Sequence, residues 1–133
     1  MAIYQENLRA LEQRMVDFSV SVVTTCGQYS ANSTPRPLID QLIRSATSIG
    51  ANYAEANNSS SRNDFRNKIY IAKKESGEAR YWLRVLSAVL KTENLNHLQQ
   101  ECLELNLILQ KITSTLKSGA PSDKSANGKQ FGK

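Results

Sequence analysis

An all-α, up-down-up-down four-helix bundle is the fold class this sequence predicts, and three observations predict it. Four stretches carry apolar side chains at alternating spacings of three and four residues, the repeat of a helix that packs on other helices. The segments between them are short and polar and carry turn residues. Strand signals are weak, and 133 residues make one domain around one core.

The first helix is expected over about residues 3–28. Its seam is Tyr4, Leu8, Leu11, Met15, Phe18 and Val22, and Val16, Val20 and Val23 add a second apolar strip. Tyr29–Pro37 ends it, because Ser, Asn, Thr and two prolines do not continue a helix. The second helix, about 37–57, opens with a proline suited to a first turn and carries the seam Ile39, Leu42, Ala46, Ile49, Tyr53 and Ala56. Its middle is rich in small residues. Gly50 costs up to about 1 kcal/mol in a helix interior, which predicts a neighbouring helix packed closely against it.

Ser61 reads as the N-cap of the third helix, with Asp64 as an acid in the first turn. This helix, about 62–92, holds its seam for almost four heptads: Phe65, Ile69, Ala72, Ser76, Ala79, Leu83, Leu86 and Leu90, with Ser76 the sole polar member. The fourth helix is expected over about 96–117, with Asn96 and Gln99 as a capping pair and the seam Leu98, Cys102, Leu105, Leu109, Ile112 and Leu116. Residues 118–133 hold Gly, Ser, Asn and Lys and almost nothing to bury, so a disordered basic tail is expected.

Two features of the third helix point towards function. Arg66, Lys73 and Arg80 are seven residues apart, a spacing that drifts by only about 20° on a straight helix, so they form one stripe. Arg62 and Arg84 fall on the same broad face. Off the seam, Trp82, Val85 and Val89 widen the apolar arc. One core cannot bury these together with the first helix's valines and Leu103, Leu107 and Ile108. Leftover apolar surface of this extent predicts a homo-oligomer with Trp82, Val85 and Val89 at the interface.

The net charge of +5 is uneven. Residues 36–91 hold ten Lys and Arg against five Asp and Glu, while the first and fourth helices are slightly acidic. Such clustering favours a polyanionic partner over a uniform basic coat. Cys26 and Cys102 show neither CxxC nor metal-type spacing, as in a reduced cytoplasmic protein. No leader-like segment and no run near the roughly 20 apolar residues of a membrane span is readable, so a soluble cytoplasmic chain is expected.

Bundle chemistry leaves no trace in the pattern. A di-iron site needs Glu-x-x-His on two helices with two further glutamates, and His97, the sole histidine, is expected at the surface. Glu55, Glu75 and Glu78 are expected to pair with nearby Lys or Arg, Lys74 with Glu78 among them as an i,i+4 pair. No nucleophile–base pairing, phosphate loop or dinucleotide fingerprint is present. No catalytic residue, metal ligand or cofactor is expected, and an enzyme is not.

The strings QLIRSATSIGANYAEA and IAKKESGEARYWL, with DF before the second, go beyond a generic bundle. They resemble the bacterial four-helix-bundle proteins that include the 23S ribosomal RNA intervening-sequence proteins. The same fold serves the accessory variability determinant of diversity-generating retroelements. The resemblance covers about residues 4–117 and is most specific over 41–83. Gln41, Arg44, Asn52, Glu55, Ile71 and Glu78 are among the matching positions. Ile43 stands where many relatives carry a second Arg, which argues against the second helix as the nucleic-acid-binding element. The resemblance implies a ring of five subunits with a basic surface. In the retroelement case it implies contact with a reverse transcriptase and its template RNA.

Three functions follow as expectations. The first is a non-enzymatic scaffold binding RNA or DNA through Arg62, Arg66, Lys73, Arg80 and Arg84; Tyr70 and Tyr81 are the candidate stacking rings, though each is expected to be packed rather than stacking. The second is a protein-interaction adaptor. The third is an intervening-sequence-encoded protein without a ligand.

Overall fold

The computed structural model describes residues 2–29 and 35–118, with side chains over 7–29 and 35–117. The expected tail, apart from Ser118, and the side chain of Tyr4 lie outside the described residues. Four helices are present: α1 (Ala2–Cys26), α2 (Arg36–Asn57), α3 (Arg62–Leu90) and α4 (Asn96–Ser118). No strand occurs among the described residues.

The local signals act at the helix ends. Ser61 caps α3, its side chain accepting from the Asp64 N–H at 3.0 Å. Pro37 sits in the first turn of α2, behind an extended Pro35. α3 stops two residues short of the expected 92, because Lys91 adopts a left-handed conformation (φ 52°, ψ 50°) and its N–H returns to the Ser87 carbonyl. α1 likewise stops at Cys26, with Gly27 and Gln28 in a turn. The capping pair expected at α4 does not form. Asn96 is already inside the helix, and Gln99 donates from Nε2 to Ser87 Oγ at 2.8 Å, spending its amide on a contact with α3.

Each helix packs on its neighbours in sequence, and α4 closes on α1; the diagonal pairs α1–α3 and α2–α4 do not approach. The cross-links run antiparallel. Arg44 reaches Glu75 and Glu78, while Glu55, further along α2, reaches Lys68. This is the four-helix-bundle arrangement of sequential antiparallel neighbours.

The seams meet in one core that includes Met15, Leu42, Ile49, Ile69, Leu83, Leu105 and Leu109, all essentially inaccessible. Each such side chain contributes roughly 1.5–3 kcal/mol on burial. Gly50 has the close packing its cost predicts: a Cβ there would lie 3.1 Å from Met15 Cβ. Ser76, the polar interruption, is fully satisfied. It donates to the Lys73 carbonyl and accepts from Asn106 Nδ2, each at 2.7 Å. Cys102 donates to the Ser76 carbonyl at 3.3 Å, and burial pushes its thiol up to about 12. α1–α4 is the thinnest pairing. Arg14 bridges it, donating from Nε to Glu101 at 2.7 Å and from Nη2 to Glu104 at 2.6 Å. That clasp was not foreseen in the sequence.

Candidate nucleic-acid interface

α3 packs between α2 and α4, so it has two flanks, and its charges divide between them. On the α2 flank the acids are spent on cations. Arg44 pairs with both Glu75 and Glu78, and Lys68 pairs with Glu55 at 2.8 Å. The Trp82 indole N–H donates to Glu78 at 3.1 Å. The Arg44 guanidinium, with help from Trp82, holds the Glu78 carboxyl below the usual carboxylate range. The expected pairing of glutamates with cations is therefore present. The Lys74–Glu78 pair is not: Glu78 turns to Arg44 across the helix interface, and Arg44 engages two carboxylates at once.

On the α4 flank the picture reverses. At about 100° per residue, Arg62, Arg66, Lys73, Arg80 and Arg84 fall within about 40° of one another, beside the seam on the side of Ser87 and Ser76, which bond to α4. None of the five makes an ion pair among the described residues. Arg80 and Arg84 are exposed; Arg62, Arg66 and Lys73 are half-buried. The Arg66 Nε is closed off from solvent without an acceptor. The donors Arg66 can offer a ligand are therefore its Nη groups.

Arg80 and Arg84 line an open cleft of about 370 Å³ with Asn96, Gln99, Gln100 and Leu103 of α4. No acidic residue is part of its wall. The α4 contribution was missed from the sequence, because it follows from the antiparallel register and not from any motif. Further round α3, on its outer face, Tyr70 is 38% exposed and Tyr81 55% exposed. Gly77 lies between them in sequence, and a Cβ on it would meet nothing within 4 Å.

The residues expected at an oligomer interface are only partly free. Trp82 and Val85 are half-buried against α3's own surroundings, while Val89 is half exposed. Tyr81 and Trp82 stack edge to face, with ring centroids 5.1 Å apart. A longer exposed apolar strip is Val16, Val20 and Val23 of α1, with Val20 57% exposed. His97 is exposed. No group of three or more potential metal ligands gathers among the described residues. No described helix is long and apolar enough to cross a membrane.

A family model described as 23S rRNA-intervening sequence protein matches residues 6–111. The chain belongs to this family. The match takes in both flanks of α3 and the whole of α2. Among solved structures, a protein of unknown function from the S23 ribosomal protein family of Bacteroides thetaiotaomicron is similar to this family member. It shares 30% identity with a TM-score of 0.66, over 77% of this chain and 97% of that one. No curated protein matches the sequence.

Proposed function

We propose that this protein is a non-enzymatic, basic, oligomeric scaffold that binds nucleic acid, RNA or DNA, along the α4 flank of α3. One observation carries the reading: five cations share that flank without a single ion pair among the described residues, while on α3's other flank Glu75 and Glu78 are neutralised by Arg44 and Lys68 is paired with Glu55. Unpaired guanidinium and ammonium groups in a row are matched by a row of phosphates, which accept bidentate bonds from arginine. The family name, with its reference to 23S rRNA, supports the same direction. Repetition in a ring of subunits, five by the family resemblance, would multiply those contacts. The exposed valines of α1 and Val89 supply apolar surface for such an assembly. As a retroelement accessory protein the scaffold would also meet a reverse transcriptase.

Retention of labelled RNA and DNA fragments on filters, measured against salt, tests the reading. Wild-type binding should weaken steeply with salt, and the Arg66/Lys73/Arg80→Glu variant should flatten that dependence by about 2 in log–log slope for single strands. An adaptor reading, with the same flank docked on an acidic protein surface, takes its place if no fragment is retained even at about 50 mM salt.

A further inference from the structure

We infer that the basic flank of α3 takes single-stranded RNA rather than a duplex, with Tyr70 and Tyr81 as stacking platforms beside the phosphate-binding stripe. This rests on the nucleic-acid reading above and narrows it to one strand form and one sugar.

Three independent features bordering the stripe support it, two on the outer face of α3 and one towards α4. First, the exposed rings border the cations. At about 100° per residue, Tyr70 and Tyr81 lie within about 20° of each other, roughly 40–60° beyond Arg84. Eleven residues separate them, or about 16 Å along the axis. Both expose more than a third of their surface in a chain that is otherwise able to bury its aromatics, such as Tyr53 at 2%. A duplex hides the faces of its bases inside the stack, so exposed rings are of no use to it. An unpaired base presents its π-face, and stacking on an aromatic ring contributes about 1–3 kcal/mol per base.

Second, Gly77 lies on the same face between the two rings. A glycine in mid-helix costs about 0.5–1 kcal/mol relative to alanine. At Gly50 that cost is offset by contact with Met15, but at Gly77 no neighbour lies within 4 Å of a Cβ position. Bare backbone at this position lets a flat base or sugar approach the helix surface between the tyrosines.

Third, the cleft at the C-terminal end of the stripe carries acceptors as well as donors. Gln99 donates from Nε2 to Ser87, and Gln100 donates from Nε2 to Glu104 at 3.1 Å. Their side-chain carbonyls have no partner among the described residues. These acceptors share the cleft with Arg80 and Arg84. A phosphate needs only donors. A neighbouring group that donates completes the cleft, and the ribose 2′-hydroxyl is a donor that RNA has and DNA lacks.

The test is fluorescence anisotropy with a labelled unstructured RNA, the DNA of the same sequence and an RNA duplex. The proteins are the full chain and three variants: Tyr70→Ala/Tyr81→Ala, Gly77→Leu, and Gln99→Leu/Gln100→Leu. Circular dichroism melts confirm that each variant folds. Single-stranded RNA should bind tightest. The tyrosine pair should weaken it about tenfold or more while leaving duplex binding unchanged. Gly77→Leu should weaken single-strand binding although the helix gains a better former, and the glutamine pair should remove the preference for RNA over DNA. Equal binding of duplex and single strand, with the tyrosine variant indifferent, overturns the inference and leaves the nucleic-acid reading standing. Equal affinity of wild type for the RNA and DNA strands overturns the assignment to ribose. No binding of any of the three overturns both.

Discussion

Both flanks of α3 carry charged side chains and use them in opposite ways. Towards α2, Glu75, Glu78 and Lys68 are tied to Arg44 and Glu55, and Trp82 adds its N–H to the same network. Towards α4, the arginines and Lys73 meet no carboxylate, and the contacts that hold the helices together there are small neutral ones, Ser76 with Asn106 and Ser87 with Gln99. One flank is a seam between helices; the other is a surface whose charge is unspent. A net charge counts both alike. What separates them is which side of the helix each charge falls on and whether a partner faces it.

That contrast breaks most visibly if charge is reversed on the α4 flank. Arg66/Lys73/Arg80→Glu should lower RNA affinity by about 100-fold at moderate salt. Its unfolding free energy should fall by no more than about 1 kcal/mol, the packing of the half-buried Arg66 and Lys73, since no native ion pair is lost. Anisotropy and urea titration check the two halves together.

On the other flank, Trp82→Ala should reduce stability by about 2 kcal/mol. This is below the value for a fully buried ring, because Trp82 is half-buried, and it includes the loss of the indole's hydrogen bond to Glu78. RNA affinity should not change. Sedimentation shows whether Trp82 also lies between subunits: a folded assembly of unchanged mass removes it from the interface.

Glu78→Gln should cost about 0.5–1 kcal/mol at neutral pH, as befits a partly exposed ion pair. The pH dependence has a definite sign. The Glu78 carboxyl is held below its ordinary value of 4.5 in the fold. Its contribution is therefore present above 4.5 and is lost as pH falls through the lowered folded value. The difference between wild type and Glu78→Gln in urea midpoint should shrink towards zero on acidification, and a difference that grew would contradict the Arg44 pairing.

The smallest effect sharpens the contrast from the outside of the helix. Gly77→Ala should stabilise the fold by up to about 1 kcal/mol, since the added methyl meets nothing. A loss in thermal stability would mean that Gly77 serves packing.

Much of the fold was legible in the chain because it depends on local spacing. The seams from Met15 to Val22 and from Ile69 to Leu86 are the buried residues, Ser61 caps α3, and Gly50 meets Met15. The errors came where a distant partner outcompeted a local rule. Lys74 is well spaced for Glu78, yet Arg44 offers a forked donor from α2. Asn96 and Gln99 have a capping spacing, yet Gln99 finds Ser87 across the interface. The basic stripe was legible as a stripe because seven residues nearly close two turns. Its freedom from ion pairs and the amide-lined cleft were not, since both follow from which helix lies on each flank.

The most direct measurement is the salt dependence of RNA binding for two neutralised variants compared side by side, Arg66/Lys73/Arg80→Gln on the α4 flank and Lys68→Gln on the α2 flank. The α4-flank variant should lose about 2 in log–log slope and keep its melting temperature, while Lys68→Gln keeps the wild-type slope. Equal slopes for all three proteins, or a slope lost only in Lys68→Gln, would contradict the division of α3 into a structural flank and a binding flank.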